Sequence, residues 1–110
     1  MKLRLVFVVS ILVSISSSAI WAADVAAGKD VFGKKCASCH GANGEGKDSI
    51  AKMMKVEFRH LGSKEVQAKS DAELMKIIIE GGGKMKPVKD VDSKAAEDIV
   101  SYLRTLRDKK

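Results

Sequence analysis

Residues 24–47 read DVAAGKDVFGKKCASCHGANGEGK, and this stretch decides the fold. Asp24 is a natural helix N-cap, and the residues after it repeat with helical rather than strand periodicity: Ala27, Gly28, Val31 and Phe32 fall on one face. The spacing predicts a helix over 24–35 that delivers the chain directly into Cys36. Glycine inside a helix costs about 1 kcal/mol relative to alanine, so Gly28 on the apolar stripe suggests a close helix crossing where a side chain does not fit. After Cys36-Ala37-Ser38-Cys39-His40, the glycines of GANGEGK (41–47) open a loop.

Two cysteines three positions apart at a helix end can reach one flat ligand, and the following His can turn its imidazole toward that ligand's centre. Cys-x-x-Cys-His is the attachment pattern for haem c. In that reading Cys36 and Cys39 form thioethers with one covalent haem, and His40 binds the iron from the proximal side. Three rival readings stand beside it. A disulfide across so small a loop staples little. A thioredoxin-like redox pair wants a strand before the motif, whereas a helix precedes it here. A structural zinc site usually takes four ligands, and His60 is the only further strong soft or imidazole donor.

If haem is attached, the sixth iron position calls for Met53, Met54, Met75, Met85 or His60, or stays open. Met75 sits inside an Ile-rich helical segment and reads as core, while Met53 and Met54 lie among lysines and read as cover for a haem edge or a short helix. Met85 differs because GGGKMKPV (81–88) combines three glycines, which let the backbone pass close to a flat ring, with Pro87 to stiffen the far side. Met85 is the expected distal ligand.

The rest of the chain reads as helical. SDAE (70–73) is a capping box opening a helix that runs to Gly81. Asp92 or Ser93 opens another, with Ala96, Ile99, Val100, Leu103 and Leu106 on one face and Tyr102 beside them. Shorter helices are expected near 50–55 and 63–68. The first 22 residues, MKLRLVFVVSILVSISSSAIWA, contain only Lys2 and Arg4 as charges; a basic start, an apolar run and a small-residue end describe a secretory signal peptide, leaving 23–110 as the domain. An uncleaved membrane anchor is the alternative, opposed by a run short for a span and rich in Ser.

The 110 residues allow one compact domain, and 31% charged residues argue against a multi-span membrane protein. Beyond position 22 only Phe32, Phe58 and Tyr102 are aromatic, so a domain this small needs a staple, and something else apolar must fill its core. The formal charge of +6, two of it from Lys2 and Arg4, comes without an Arg-rich run or an aromatic-interleaved basic strand. Nucleic acid is therefore not the expected partner, and an acidic protein is. No paired carboxylates, Ser/His/Asp arrangement or phosphate loop points to an enzyme.

Taken together the chain resembles the small monohaem c-type cytochromes of class I, with His/Met ligation. Gly28, Phe32 and Cys36 match the four-residue spacing of that family's first helix, Tyr102 its terminal-helix aromatic, and SDAELMKIIIEGGGKMKPV (70–88) its helix and axial-Met loop. The resemblance implies an all-α fold of three to five helices wrapped around the haem, the first and last crossing near Gly28 and Tyr102. It also implies a soluble, monomeric electron carrier in a bacterial periplasm, with redox-protein partners and no stable membrane insertion. The alternative function is a haem c protein whose open or labile sixth site binds a small ligand or peroxide. Two departures from the family are visible. Lys86 separates Met85 from Pro87, and no Pro follows the Cys-x-x-Cys-His motif, which leaves the acceptor for His40 Nδ1 unidentified.

Overall fold

The computed structural model describes residues 23–107, so the expected signal peptide at 1–22 lies outside the described residues. Six helical segments follow in order: α1 (Val25–Lys35), α2 (Ala37–His40), α3 (Asp48–Met54), α4 (Lys64–Gln67), α5 (Asp71–Glu80) and α6 (Ser93–Arg104). The count exceeds the expected three to five because α2 and α4 are single turns of four residues each. No strand forms among the described residues; the one bridge is an isolated pair, Gly82 with Met85.

The start signals act as the sequence suggests. The Asp24 carboxylate accepts from Ala27 N–H at 3.0 Å and the Asp92 carboxylate from Ala95 N–H at 2.8 Å, each satisfying a donor that the first helical turn leaves free. Ser63 and Ser70 cap α4 and α5 through their hydroxyls, which accept from Val66 and Glu73 N–H. Of the capping box only this arm forms; no return bond joins Ser70 N–H to the Glu73 carboxylate among the described residues. Helix α3 begins two residues earlier than expected and stops at Lys55, which adopts the left-handed conformation at φ 55° and bonds back to the last turn.

The centre of the fold is the crossing of α1 on α6. A Cβ built on Gly28 would lie 1.9 Å from the backbone oxygen of Asp98, so the two helices touch backbone to backbone and only glycine fits. Beside that contact Phe32, 2% exposed, and Tyr102 pack with ring centroids 5.1 Å apart and planes tilted at 58°. Above it Asp98, buried at 8% exposure, accepts from Asp24 N–H at 2.8 Å and from Lys94 Nζ at 2.5 Å. A buried carboxylate is tolerated when paired in this way, and the lysine and the backbone amide hold its pKa below the usual carboxylate value.

Helix α5 packs on α6 through Leu74 and Ile78. Arg104 ties α6 to the α4–α5 junction, donating to Gln67 O at 2.9 Å, Lys69 O at 2.7 Å and Asp71 Oδ1 at 2.7 Å. Gln67 Nε2 in turn donates to Leu61 O and Leu103 O, both at 2.9 Å, closing the end of the domain.

Candidate haem-binding site

Helix α1 ends at Cys36, which also opens the next turn, α2: His40 N–H bonds to Cys36 O at 3.0 Å and Gly41 N–H to Ala37 O at 2.9 Å. Gly41, at φ 79°, then turns the chain back on itself. Gly46 N–H reaches His40 O at 2.6 Å and Lys47 N–H reaches Cys39 O at 3.0 Å, so the 41–47 loop lies clasped against the motif. At its tip the Glu45 carboxylate accepts from Asn43 N–H at 2.8 Å, and backbone hydrogen bonds hold its pKa below the usual range.

The motif opens onto a cavity of about 830 Å³. Cys36, Cys39 and His40 line it, as do Met85 and Met54; core side chains Phe32, Leu74, Ile78, Ile99 and Leu103 supply apolar wall. Burial and the neighbouring Cys39 push the Cys36 thiol up to about 11, so it stays protonated at neutral pH. Burial also lowers the His40 pKa, which favours the neutral imidazole with a lone pair free for a metal. Cys36 and Cys39 are not joined by a disulfide. No group of three or more His, Cys, Asp or Glu comes together to hold a metal ion among the described residues, which leaves the zinc reading without a ligand set. The thioredoxin-like reading fails on the helix that precedes Cys36.

Met85 is delivered by the glycine loop. Gly82 and Met85 exchange two backbone hydrogen bonds, at 3.0 and 2.9 Å, and Val88 N–H anchors the far end to Ile78 O on α5 at 3.0 Å. Gly81, at φ 81°, permits this turn: a Cβ there would come within 2.7 Å of Met85 O and 2.9 Å of Pro87 Cδ. Lys84 Nζ reaches across to Met54 O at 3.0 Å.

The other sequence candidates scatter. Met53 is 72% exposed, and Met75 is half-buried against the core. His60 lines a different groove, with Lys29, Glu45 and Tyr102, and its Nδ1 accepts from Gly62 N–H at 2.9 Å. Met54 and Phe58, both lining the cavity, carry no spacing signal that would have ranked them.

A family model described as cytochrome C oxidase, cbb3-type, subunit III matches residues 23–103. The chain belongs to this family. Among solved structures the KustC0563 c-type cytochrome is similar, with 25% identity and a TM-score of 0.63 over 73% of this chain and 96% of that one. No curated protein matches the chain. The protein is thus a small monohaem c-type cytochrome with an all-α, class I cytochrome c fold and covalently bound haem c, and its role is electron transfer. The cavity suits that group: it is large and apolar-walled, carries two unpaired thiols and an imidazole whose pKa burial lowers, and adjoins a core short of aromatic residues. No helix among the described residues is long and apolar enough to cross a membrane.

Proposed function

We propose that this cytochrome is an exported, soluble carrier that passes single electrons between redox proteins, with the haem held by Cys36 and Cys39, His40 as proximal ligand and Met85 as distal ligand. The observation that supports it is one cavity carrying both halves of the ligand set, Cys36, Cys39 and His40 from the α1–α2 turn and Met85 from the glycine loop. When bound, the haem supplies an iron that cycles between ferrous and ferric states. The protein's own task is to keep that centre dry and fixed. Buried Phe32, Leu74, Ile78 and Ile99 exclude water and so disfavour the additional charge of the ferric state. A thioether sulfur from Met85 favours ferrous iron in the same direction, and a loop fastened at Gly82 and Val88 limits ligand movement between the two states.

Lys35, Lys84, Lys86 and Lys89 also line the cavity, so positive charge gathers at the site. This favours a partner with an acidic docking surface, steered by charge and weakened by salt. The domain 23–110 acts as a monomer after removal of 1–22, in the periplasm.

Mass analysis and visible spectra of the purified protein test the assignment. The expected result is a chain heavier than its amino acids by one haem, a low-spin spectrum and a weak far-red Met-to-iron charge-transfer band. Met85→Ala abolishes that band and lowers the reduction potential by on the order of 0.1 V, a fraction of the roughly 0.8 V that axial-ligand choice spans. Met53→Ala changes neither. A band that survives Met85→Ala and vanishes with Met54→Ala reassigns the distal ligand, and a wild-type protein with no band and a readily bound exogenous ligand establishes the open-site alternative.

A further inference from the structure

Resting on the reading of His40 as the proximal iron ligand, we infer that Phe58 is its positioning residue: the edge contact of the Phe58 ring, and not a hydrogen-bond acceptor on Nδ1, sets the plane of the imidazole. An iron-bound histidine ordinarily donates its second ring N–H to a carboxylate, carbonyl or water, which fixes the ring and strengthens it as a ligand. His40 Nδ1 is buried and has no partner among the described residues. The motif's own carbonyls bond elsewhere, His40 O to Gly46 N–H and Cys39 O to Lys47 N–H. The chain's single proline, Pro87, stands beside Met85 on the opposite ligand segment.

What touches the ring is Phe58, with centroids 5.4 Å apart and planes at 64°, an edge arrangement within the favourable range for aromatic pairs. Its placement is constrained from both sides. Val56 N–H bonds to Ala51 O at 3.0 Å before it, and Leu61 N–H to Gly44 O at 2.9 Å after it. Gly46 leaves it room: a Cβ on Gly46, at φ 82°, would lie 2.5 Å from Phe58 Cβ. The loop that clasps the motif therefore also admits the aromatic ring that braces the imidazole. Since ring orientation governs overlap with the iron orbitals, Phe58 tunes the centre without touching the iron.

The test uses the haem-loaded protein. Phe58→Leu is expected to redistribute the hyperfine-shifted haem methyl resonances of the oxidised form and to move the reduction potential, while the visible spectrum stays low-spin. Phe58→Tyr, which keeps the ring edge, restores the wild-type pattern. Val100→Ala, a buried α6 change outside the cavity, lowers the melting temperature and leaves the methyl pattern alone. A Phe58→Leu protein that melts early yet keeps the wild-type methyl pattern and potential overturns the inference. Should Phe58→Leu fail to retain haem, wild-type protein labelled with nitrogen-15 decides: scalar coupling from Nδ1 to an acceptor carbonyl overturns the positioning role, and its absence with a solvent-protected Nδ1 proton supports it. Loss of the ligand reading itself is distinguishable, since a His40→Ala protein with an unchanged spectrum removes His40 from the iron whatever Phe58 does.

Discussion

Replacing Gly28 by alanine places a methyl group against one of the two tightest glycine contacts among the described residues. The added Cβ would sit 1.9 Å from Asp98 O, 2.4 Å from Asp98 C and 2.9 Å from Ile99 N, all backbone atoms of α6 that no rotamer change can move aside. Ordinary packing requires the helices to part by about 1 Å or more, and a close-packed interior transmits that displacement instead of absorbing it. The same movement loosens the tilted Phe32–Tyr102 pair and the bond from Asp24 N–H to Asp98. Overpacking of this kind costs about 1–3 kcal/mol, and with backbone as the obstacle the upper half applies; alanine's better helix propensity returns up to about 1 kcal/mol. The net loss of roughly 2 kcal/mol corresponds to a fall in melting temperature of about 8–16 °C for a domain of this size. Gly33 is the internal control: it lies on the same helix, is exposed, and a Cβ there meets nothing within 4 Å. Gly33→Ala should therefore stabilise by up to about 1 kcal/mol. Thermal and denaturant unfolding of the haem-loaded proteins measures both, and a Gly28→Ala protein as stable as Gly33→Ala would show that the helices do not cross where the geometry puts them.

Arg104→Ala should lower the denaturant midpoint by the equivalent of about 2 kcal/mol, because Gln67 O and Lys69 O lose a charged donor, and Arg104→Lys should recover only part, since a point charge cannot span three acceptors. Asp98 has a folded pKa below its unfolded value, so its contribution is present above the ordinary carboxylate range near pH 4 and is lost as pH falls through the lower folded value; Asp98→Asn should flatten that acid limb in a pH series of melting curves. A double Cys36→Ser, Cys39→Ser protein should lose helical circular dichroism at about 25 °C, because the apolar wall of Phe32, Leu74, Ile78 and Ile99 is left without the covalently held group that covers it. Electron exchange with an acidic redox protein should slow as ionic strength rises, more steeply for wild type than for a Lys86→Gln, Lys89→Gln variant, as followed by stopped-flow absorbance.

What the sequence disclosed was whatever depends on near neighbours. Asp24, Ser63, Ser70 and Asp92 cap their helices through bonds that reach three residues ahead, and that reach is visible in any linear reading. Gly28 was legible for a related reason, since an unfavourable residue on an apolar helix stripe needs a tertiary explanation. Met85 stood out because three glycines and a proline surround it, and the structure brings it to the cavity that holds Cys36, Cys39 and His40. The bonds formed by Arg104 and Gln67 were not legible. They join residues 36 and 37 positions apart through side chains whose partners are backbone carbonyls, and a carbonyl carries no residue identity. The same holds for Phe58, which has no periodic partner and meets His40 only because Gly46 clears its way.

The Cys36–His40 turn and the Met85 loop, the two segments proposed to bear the iron ligands, rest on different supports, and that division bears on how the centre can be tuned. The Cys36–His40 turn is continuous with α1 and inherits the rigidity of the α1–α6 crossing, where Gly28, Phe32 and Tyr102 leave no slack. The Met85 loop hangs from α5 by the Val88–Ile78 bond and closes on itself through Gly82, with Lys84 alone reaching over to Met54 on the far rim. Local opening favours segments with few buried contacts, and the loop is one of them, with Gly82, Gly83, Lys84 and Lys86 all exposed. Substitutions in the α1–α6 interface should therefore act on the stability of the whole domain, whereas substitutions in 81–88 should act on Met85, the proposed distal ligand, while leaving the Cys36–His40 side in place. If His40 and Met85 are the two axial residues, as proposed, the first follows directly on the α1–α6 crossing and the second sits in an exposed loop, so loop substitutions should change the lability of the distal bond without disturbing the attachment of the haem.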